Sequence, residues 1–229
     1  MEKIKVRKGK NKRMIILFSI IGIVIVLAAA VLLTLQHTNT PTKGAPIARY
    51  SNPKSALLVL DLQNDVIGIY GDTSTFVENV NQAVALAEES GMEILYIKNI
   101  AGKNPIIQFL YMGKLRDGTK GAELDSRLRI ANGNVFKKYI GDSFSSKEFE
   151  RTLISKQVDT LYIVGADAAG CVYRTAQGGL NRKYNVNVIT DAVITRDNKT
   201  MKQMLEKYTA EGIETTNLSG FQKLTQTAH

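Results

Sequence analysis

The sequence predicts an α/β domain of three layers, an open and mainly parallel doubly wound sheet between helices (αβα), preceded by one transmembrane helix. Three observations lead there. Short, unbroken apolar runs alternate with segments of helical periodicity, the pattern of strands buried on both faces and joined by crossover helices. A stretch near the start, Met14 to Leu35, carries no charge. Between that stretch and the alternating region lies a segment holding three of the four prolines among small and polar residues. At 229 residues the chain has room for one ordinary α/β domain and a short extra segment. Its 44% hydrophobic and 22% charged residues are a globular composition.

Residues 1–13 form a basic tail. Lys3, Lys5, Arg7, Lys8, Lys10, Lys12 and Arg13 stand against Glu2 and account for +6 of the net +9. The remainder is nearly neutral. Positive charge therefore precedes the apolar run instead of covering a folded surface, which argues against nucleic acid as a partner. Residues 14–35, at about 1.5 Å per residue, reach about 33 Å, enough for the roughly 30 Å hydrocarbon core of a bilayer. A cleavable signal peptide has an apolar region of about 7 to 15 residues followed by a small-x-small site. Here Ala28-Ala29-Ala30 lies inside the run, so an uncleaved anchor is expected. The excess of Lys and Arg before the run places the N-terminus in the cytoplasm and the domain outside the cell. Residues 36–54 read as an exposed linker, and the folded domain is expected over 55–229.

Inside the domain, Ala56 to Leu62 reads as a strand carrying Asp61 at its end, and Thr75 to Glu89 as a helix stopped by Gly91. Met92 to Ile97 is a second strand and Val135 to Lys138 a third. Ser145-Ser146-Lys147-Glu148 has the form of a capping box opening a helix to about Ser155. Thr160 to Val164 follows as a strand, Cys171 to Arg182 as a helix, Val186 to Thr190 as a strand, Lys199 to Glu211 as a helix and Ile213 to Thr216 as a last strand. Ligands of such sheets bind beyond the carboxyl ends of the strands. That directs attention to Asp61, Lys138 and Cys171.

Cys171 is the single cysteine, so an intramolecular disulfide and multi-cysteine metal clusters are excluded. The two histidines, His37 and His229, lie near the linker and at the C-terminus, which leaves no His-based metal site and no Ser/His/Asp triad in the domain. No metal and no cofactor are expected. A cysteine opening a helix is favoured as thiolate by the N–H groups and dipole there, and a neighbouring lysine strengthens the effect. An aspartate beside the pair can take and return the thiol proton. Each residue also has a plainer reading, Asp61 as a cap and Cys171 as a packing residue. Lys138 competes with Lys137, which strand alternation sends to the opposite face. Gly178 and Gly179 suit close packing of a helix on the sheet, and nothing makes a dinucleotide fingerprint.

Four segments, ALLVLDLQND (56–65), GTKGAEL (118–124), VFKKYIGDSF (135–144) and LYIVGADAAGCVYRTAQGGLNRKYNVNVITDAV (161–193), resemble in order the isochorismatase-like cysteine hydrolase superfamily, which includes nicotinamidases, carbamoyl-amide hydrolases and isochorismatases. The resemblance implies a catalytic triad of Asp61, Lys138 and Cys171, with the spacing to Phe144 favouring Lys138 over Lys137. It also implies an oxyanion hole from the backbone N–H groups of Asp167 and Cys171, and a cis peptide between Ala166 and Asp167. Two departures matter. Nicotinamidases place an aromatic residue five positions after the first aspartate, where this chain has Val66, and they carry metal-ligating histidines between the triad's Asp and Lys, where this chain has none. The expectation turns from nicotinamide toward a metal-free site, and retention of Cys171 turns it toward C–N hydrolysis through an acyl-enzyme. Phe109, Tyr111 and Met112 either wall the pocket or belong to the core. The function expected is a membrane-anchored cysteine hydrolase of a small-molecule amide or related C–N bond, with homo-oligomerisation left open. The alternatives are vinyl-ether hydrolysis and a non-catalytic binding or sensing module on the same fold.

Overall fold

The computed structural model describes the backbone of residues 2–227 and the side chains of residues 14–226. His229 and the side chains of the basic tail therefore lie outside the described residues. The chain divides into two compact units, Met1–His37 and Thr38–His229. The first is built on helix α1 (Glu2–Asn39), in which Met14–Asn39 has a mean hydropathy of 3.2 and is not buried. Apolar residues surround this helix on every side, so it has no single face to lay on a core. By length and composition it can cross a membrane. It runs past Leu35 and ends just before Thr40-Pro41, where the proline disfavours helical backbone at the residue ahead of it.

The second unit runs β1 (Lys54–Leu60), α2 (Asn64–Ile67), α3 (Ser74–Glu89), β2 (Glu93–Asn99), α4 (Pro105–Leu110), β3 (Val135–Lys138), α5 (Lys147–Ser155), β4 (Val158–Ala166), α6 (Cys171–Leu180), β5 (Asn185–Ile194), α7 (Asn198–Ala210), β6 (Glu214–Thr216) and α8 (Leu218–Thr227). All six strands are parallel, in the order β3-β2-β1-β4-β5-β6. The order reverses between β1 and β4, and the crevice at that reversal is where ligands bind in open α/β sheets.

The two faces explain the unbroken apolar strands. Leu57 and Val59 of β1 pack with Val77, Val80 and Val84 of α3 and Phe221 of α8. Ala56, Leu58 and Leu60 pack on the opposite face with Phe149 of α5, Val172 of α6 and Tyr208 of α7. No position in β1 beyond its first two residues faces water, so none is polar.

Three expectations shift. Ser146, not Ser145, caps α5, its Oγ accepting from the Phe149 N–H at 3.4 Å, while Ser145 ends a short 3-10 turn. Strand β5 continues past Thr190 because Ala192 and Val193 stay buried. From Thr38 onward the stretch read as a linker is laid against the second unit. The Thr42 N–H and Oγ1 both donate to Asp142 Oδ2 at 2.7 Å, and the Ile47 N–H donates to the Arg182 carbonyl at 2.9 Å. Proline and small polar residues announce irregular backbone; they do not say whether its polar groups find partners.

Candidate active site

Asp61 follows β1 in left-handed backbone (φ 57°), which aspartate tolerates better than most residues. Its N–H donates to the Ile97 carbonyl at 2.9 Å, which ties the turn to β2, and the side chain is buried. Gly165, opposite Leu60 in β4, has φ 122°, and a Cβ there would collide with the Leu60 backbone. Glycine thus lets the ends of β1 and β4 close on each other. Lys138 ends β3, where alternation buries Phe136 and Lys138 and turns Lys137 out to an exposed ion pair with Asp117. Although β2 lies between their strands, Lys138 Nζ reaches Asp61 Oδ2 at 2.9 Å and donates to the Gly141 carbonyl at 3.1 Å. Cys171 opens α6 behind Gly170 and is half-buried, and its thiol feels the charges of both Asp61 and Lys138. The structure therefore brings Asp61, Lys138 and Cys171 together where the strand order reverses.

Protonation departs from the sequence expectation. Burial, and then the carboxylate of Asp61, push the Cys171 thiol up to about 12, against the opposing pull of Lys138. Desolvation works against the Lys138 ammonium as well, but Asp61 and Cys171 outweigh it and hold the proton more tightly than on an ordinary lysine. An Asp–Lys ion pair thus stands beside a thiol on which burial opposes the thiolate. The helix dipole is a modest effect at one terminus, and loss of water around the sulfur is the larger one. Asp61 spends Oδ2 on Lys138, while its buried Oδ1 has no hydrogen-bond partner among the described residues.

The turn between β4 and α6 has uneven amide satisfaction. The Ala168 N–H donates to the Ile194 carbonyl, Ala169 to Asp167 Oδ1, and Gly170 and Val172 to the Asp167 carbonyl, at 2.8 to 3.1 Å. The N–H groups of Asp167 and Cys171 have no acceptor among the described residues. The Ala166–Asp167 peptide is cis.

Two neighbours, Tyr70 and Gln63, were not read from the sequence, whereas Tyr111 was offered there as either a pocket wall or a core residue. The Tyr70 hydroxyl donates to Asp167 Oδ2 at 2.9 Å, and burial followed by that charge drives its phenol well above the ordinary range. Gln63 is fully buried, donating to the Asn99 and Ala122 carbonyls and accepting from the Asn99 N–H. Tyr111 accepts from Asn99 Nδ2 at 3.3 Å and feels the charges of Cys171 and Asp61, which places it at the site. Phe109 and Met112 are 81% and 87% exposed, so they are not core. A cleft of about 430 Å³ opens at the turn before α6, with Tyr70, Asp167, Gly170, Arg174, Arg196 and Thr200 among its walls; Asp61, Lys138 and Cys171 do not line it. Arg174 stands three residues after Cys171 on α6, a spacing that offered a signal; Tyr70, in the loop after α2, offered none. Among the described residues no group of three or more His, Cys, Asp or Glu side chains is arranged to hold a metal ion.

Fold and side-chain cluster define an open parallel α/β domain with a cysteine at its strand-order reversal. Residues 55–219 match the model of the Isochorismatase domain, and the chain belongs to the isochorismatase family of hydrolases. It is 28% identical to an N-carbamoylsarcosine amidase of Arthrobacter sp over 123 residues, covering 48% of this chain and 46% of that protein, so it spans about half of that relative's length. It is 28% identical over 160 residues to a secreted isochorismatase effector of Verticillium dahliae, covering 67% of this chain and 80% of that protein. In structure it resembles a cysteine hydrolase from Pseudomonas syringae pv. phaseolicola 1448A, with a TM-score of 0.70 at 19% identity, covering 81% of this chain and 100% of that one.

Proposed function

We propose that this protein is a membrane-anchored cysteine hydrolase that cleaves a small-molecule amide or related C–N bond through an acyl-enzyme on Cys171. The observation that carries the reading is the convergence of Asp61, Lys138 and Cys171, with one carboxylate oxygen of Asp61 left unpaired. A thiol pushed up to about 12 keeps its proton until substrate arrives. Asp61 then takes that proton as the sulfur attacks the acyl carbon, and Lys138 stabilises the negative charge that passes through the sulfur. The unengaged N–H groups of Asp167 and Cys171 receive the oxyanion. Its collapse breaks the C–N bond, and Asp61 hands the proton to the departing amine. Water, deprotonated by Asp61, cleaves the thioester, releases the acid and restores the thiol. The sum is amide plus water to acid plus amine.

The likeness to an N-carbamoylsarcosine amidase supports a C–N bond as the target. Val66 and the absence of histidine between Asp61 and Lys138 support a substrate other than nicotinamide and a site working without metal or cofactor. The apolar helix and the basic residues before it support a single-pass anchor with a cytoplasmic N-terminus and an extracellular domain, and one relative is itself described as secreted. The partners are then a small-molecule substrate and the bilayer. The test is to offer the full chain a panel of small amides and follow adducts by mass spectrometry. An acyl mass on the Cys171 peptide is expected, and hydrolysis that survives Cys171→Ala would overturn the reading.

A further inference from the structure

We propose that Thr38–Lys43, the first residues of the second unit, form a strap that positions Lys138 and Cys171, so that the end of α1 and the residues just after it are a working part of the active-site scaffold. The inference rests on the Asp61, Lys138 and Cys171 reading above and goes beyond it by adding Thr42 as a positioning residue.

The strap touches both catalytic elements. On the β3 side, the Gly141 N–H donates to the Thr38 carbonyl at 3.0 Å, and the Gly141 carbonyl in turn accepts from Lys138 Nζ at 3.1 Å. One residue, Gly141, therefore links the strap to the ammonium that pairs with Asp61. A side chain at position 141 would press on Arg174 and on the Thr38 carbonyl, so glycine permits the approach. Next in sequence, Asp142 is fully buried and gives Oδ2 to both the N–H and the hydroxyl of Thr42, while Oδ1 accepts from the Phe144 N–H at 2.9 Å. The loop leaving Lys138 is thus tied to Thr42 through Asp142.

On the α6 side the strap follows the helix that begins with Cys171. Arg174 Nε donates to the Asn39 carbonyl at 3.1 Å and Asn181 Nδ2 to the Thr42 carbonyl at 2.8 Å. Arg182 Nη1 reaches Thr42 Oγ1 at 3.0 Å, and its guanidinium lies over the Phe144 ring at 4.5 Å. The Ser143 N–H donates to Thr175 Oγ1 at 3.1 Å, which closes the loop of contacts between the Lys138 turn and α6. A flexible tether needs none of these bonds. A buried carboxylate is tolerated only with its acceptors filled, and Thr42 supplies two of the three donors to Asp142.

The test uses the full chain in detergent and reads the rate at which iodoacetamide alkylates Cys171 as a function of pH. Thr42→Val keeps shape but removes the hydroxyl. It is expected to slow labelling at pH 8 by about fivefold or more and to move the whole profile to higher pH, because Lys138 holds the thiol down and its hold weakens as the Gly141 turn loosens. Thr42→Ser should restore the profile. Val84→Ala, which hollows α3 on the other face of the sheet, should lower the melting temperature without moving the profile. Tyr70 and Tyr111 also face Cys171, and neither changes in these variants. A profile in Thr42→Val that matches the parent, with only the melting temperature lowered, overturns the strap. Asp61→Asn separates this from failure of the underlying reading. If it leaves the profile unmoved, Asp61 does not govern Cys171 and both readings fall; if it moves the profile while Thr42→Val does not, the strap alone falls.

Discussion

Asp61 and Lys138 are two charges withdrawn from water, and such a pair is strongly held only while both members are present. Lys138→Ala strands a buried carboxylate and is expected to cost about 3 to 5 kcal/mol in urea unfolding. Lys137→Ala, which removes only an exposed ion pair with Asp117, should change the unfolding midpoint little. Asp61→Asn fits the same left-handed backbone and leaves the shape intact. It should lower amide turnover by about 10² to 10⁴-fold, the usual share of general acid–base catalysis. The raised thiol gives a signed pH effect. Folding lifts Cys171 from its ordinary value of 9.0 to about 12, so between those values the folded chain keeps a proton that the unfolded chain has lost. Stability therefore falls as pH rises through that window, and the contribution is fully present below it. Thermal melts from about pH 9 upward should decline less steeply for Cys171→Ala than for the parent. Iodoacetamide labelling of the parent should climb about tenfold per pH unit through pH 10. A plateau near neutral pH would mean a resting thiolate and would remove the need for Asp61 as base.

At the scale of elements, the seam between β1 and β4 governs the site. Gly165 combines φ 122° with a missing Cβ that Leu60 would obstruct. Gly165→Ala should therefore destabilise by about 3 kcal/mol or more, while Gly133→Ala, in open space, stays within about 0.5 kcal/mol by chemical unfolding. A mild Gly165→Ala would mean that the two strand ends need not approach so closely. The inner strands β1, β2, β4 and β5 were legible because strands covered on both faces read as apolar runs, whereas the edge strands β3 and β6 are short and partly polar. Asp61 was legible because it interrupts an apolar run at a strand's carboxyl end, Lys138 because it ends β3, and Cys171 because it is the single cysteine and opens a helix. Helix α8 was missed because Gly220 and polar residues separate Leu218 from Phe221, and only α3 and the sheet make its apolar stripe meaningful. Helix α4 was missed although Asn104 caps it, with Oδ1 accepting from the Ile106 N–H at 2.9 Å, and Pro105 opens it. Gln63 and Tyr70 lay on turns and loops whose partners are decided by tertiary packing. The burial that pushes the thiol up was not legible, because a helix N-terminus is visible locally and desolvation is not.

For the whole molecule the strongest feature is an asymmetry of charge about an apolar run. Seven Lys and Arg precede Met14, whereas Lys43, Arg49 and Lys54 follow Leu35 more sparsely. Orientation follows the bias in the short segments flanking a span, and each basic residue carried to the outer face would oppose the membrane potential. The domain is accordingly expected outside the cell. A family hydrolase so displayed would act on substrates that never enter the cytoplasm, and its product would be released there too. Protease added to intact cells should digest the domain while an epitope on residues 1–13 survives; full protection of the domain, after a surface marker has been shown to be cut, would reverse the orientation. The strap adds a condition to any soluble form found in the medium. Cleavage before Thr38 leaves the contacts to Gly141, Asp142 and Arg182 in place, so that fragment should label at Cys171 as the anchored protein does. Cleavage between Lys43 and Pro53 removes them, and that fragment should label more slowly at the same pH.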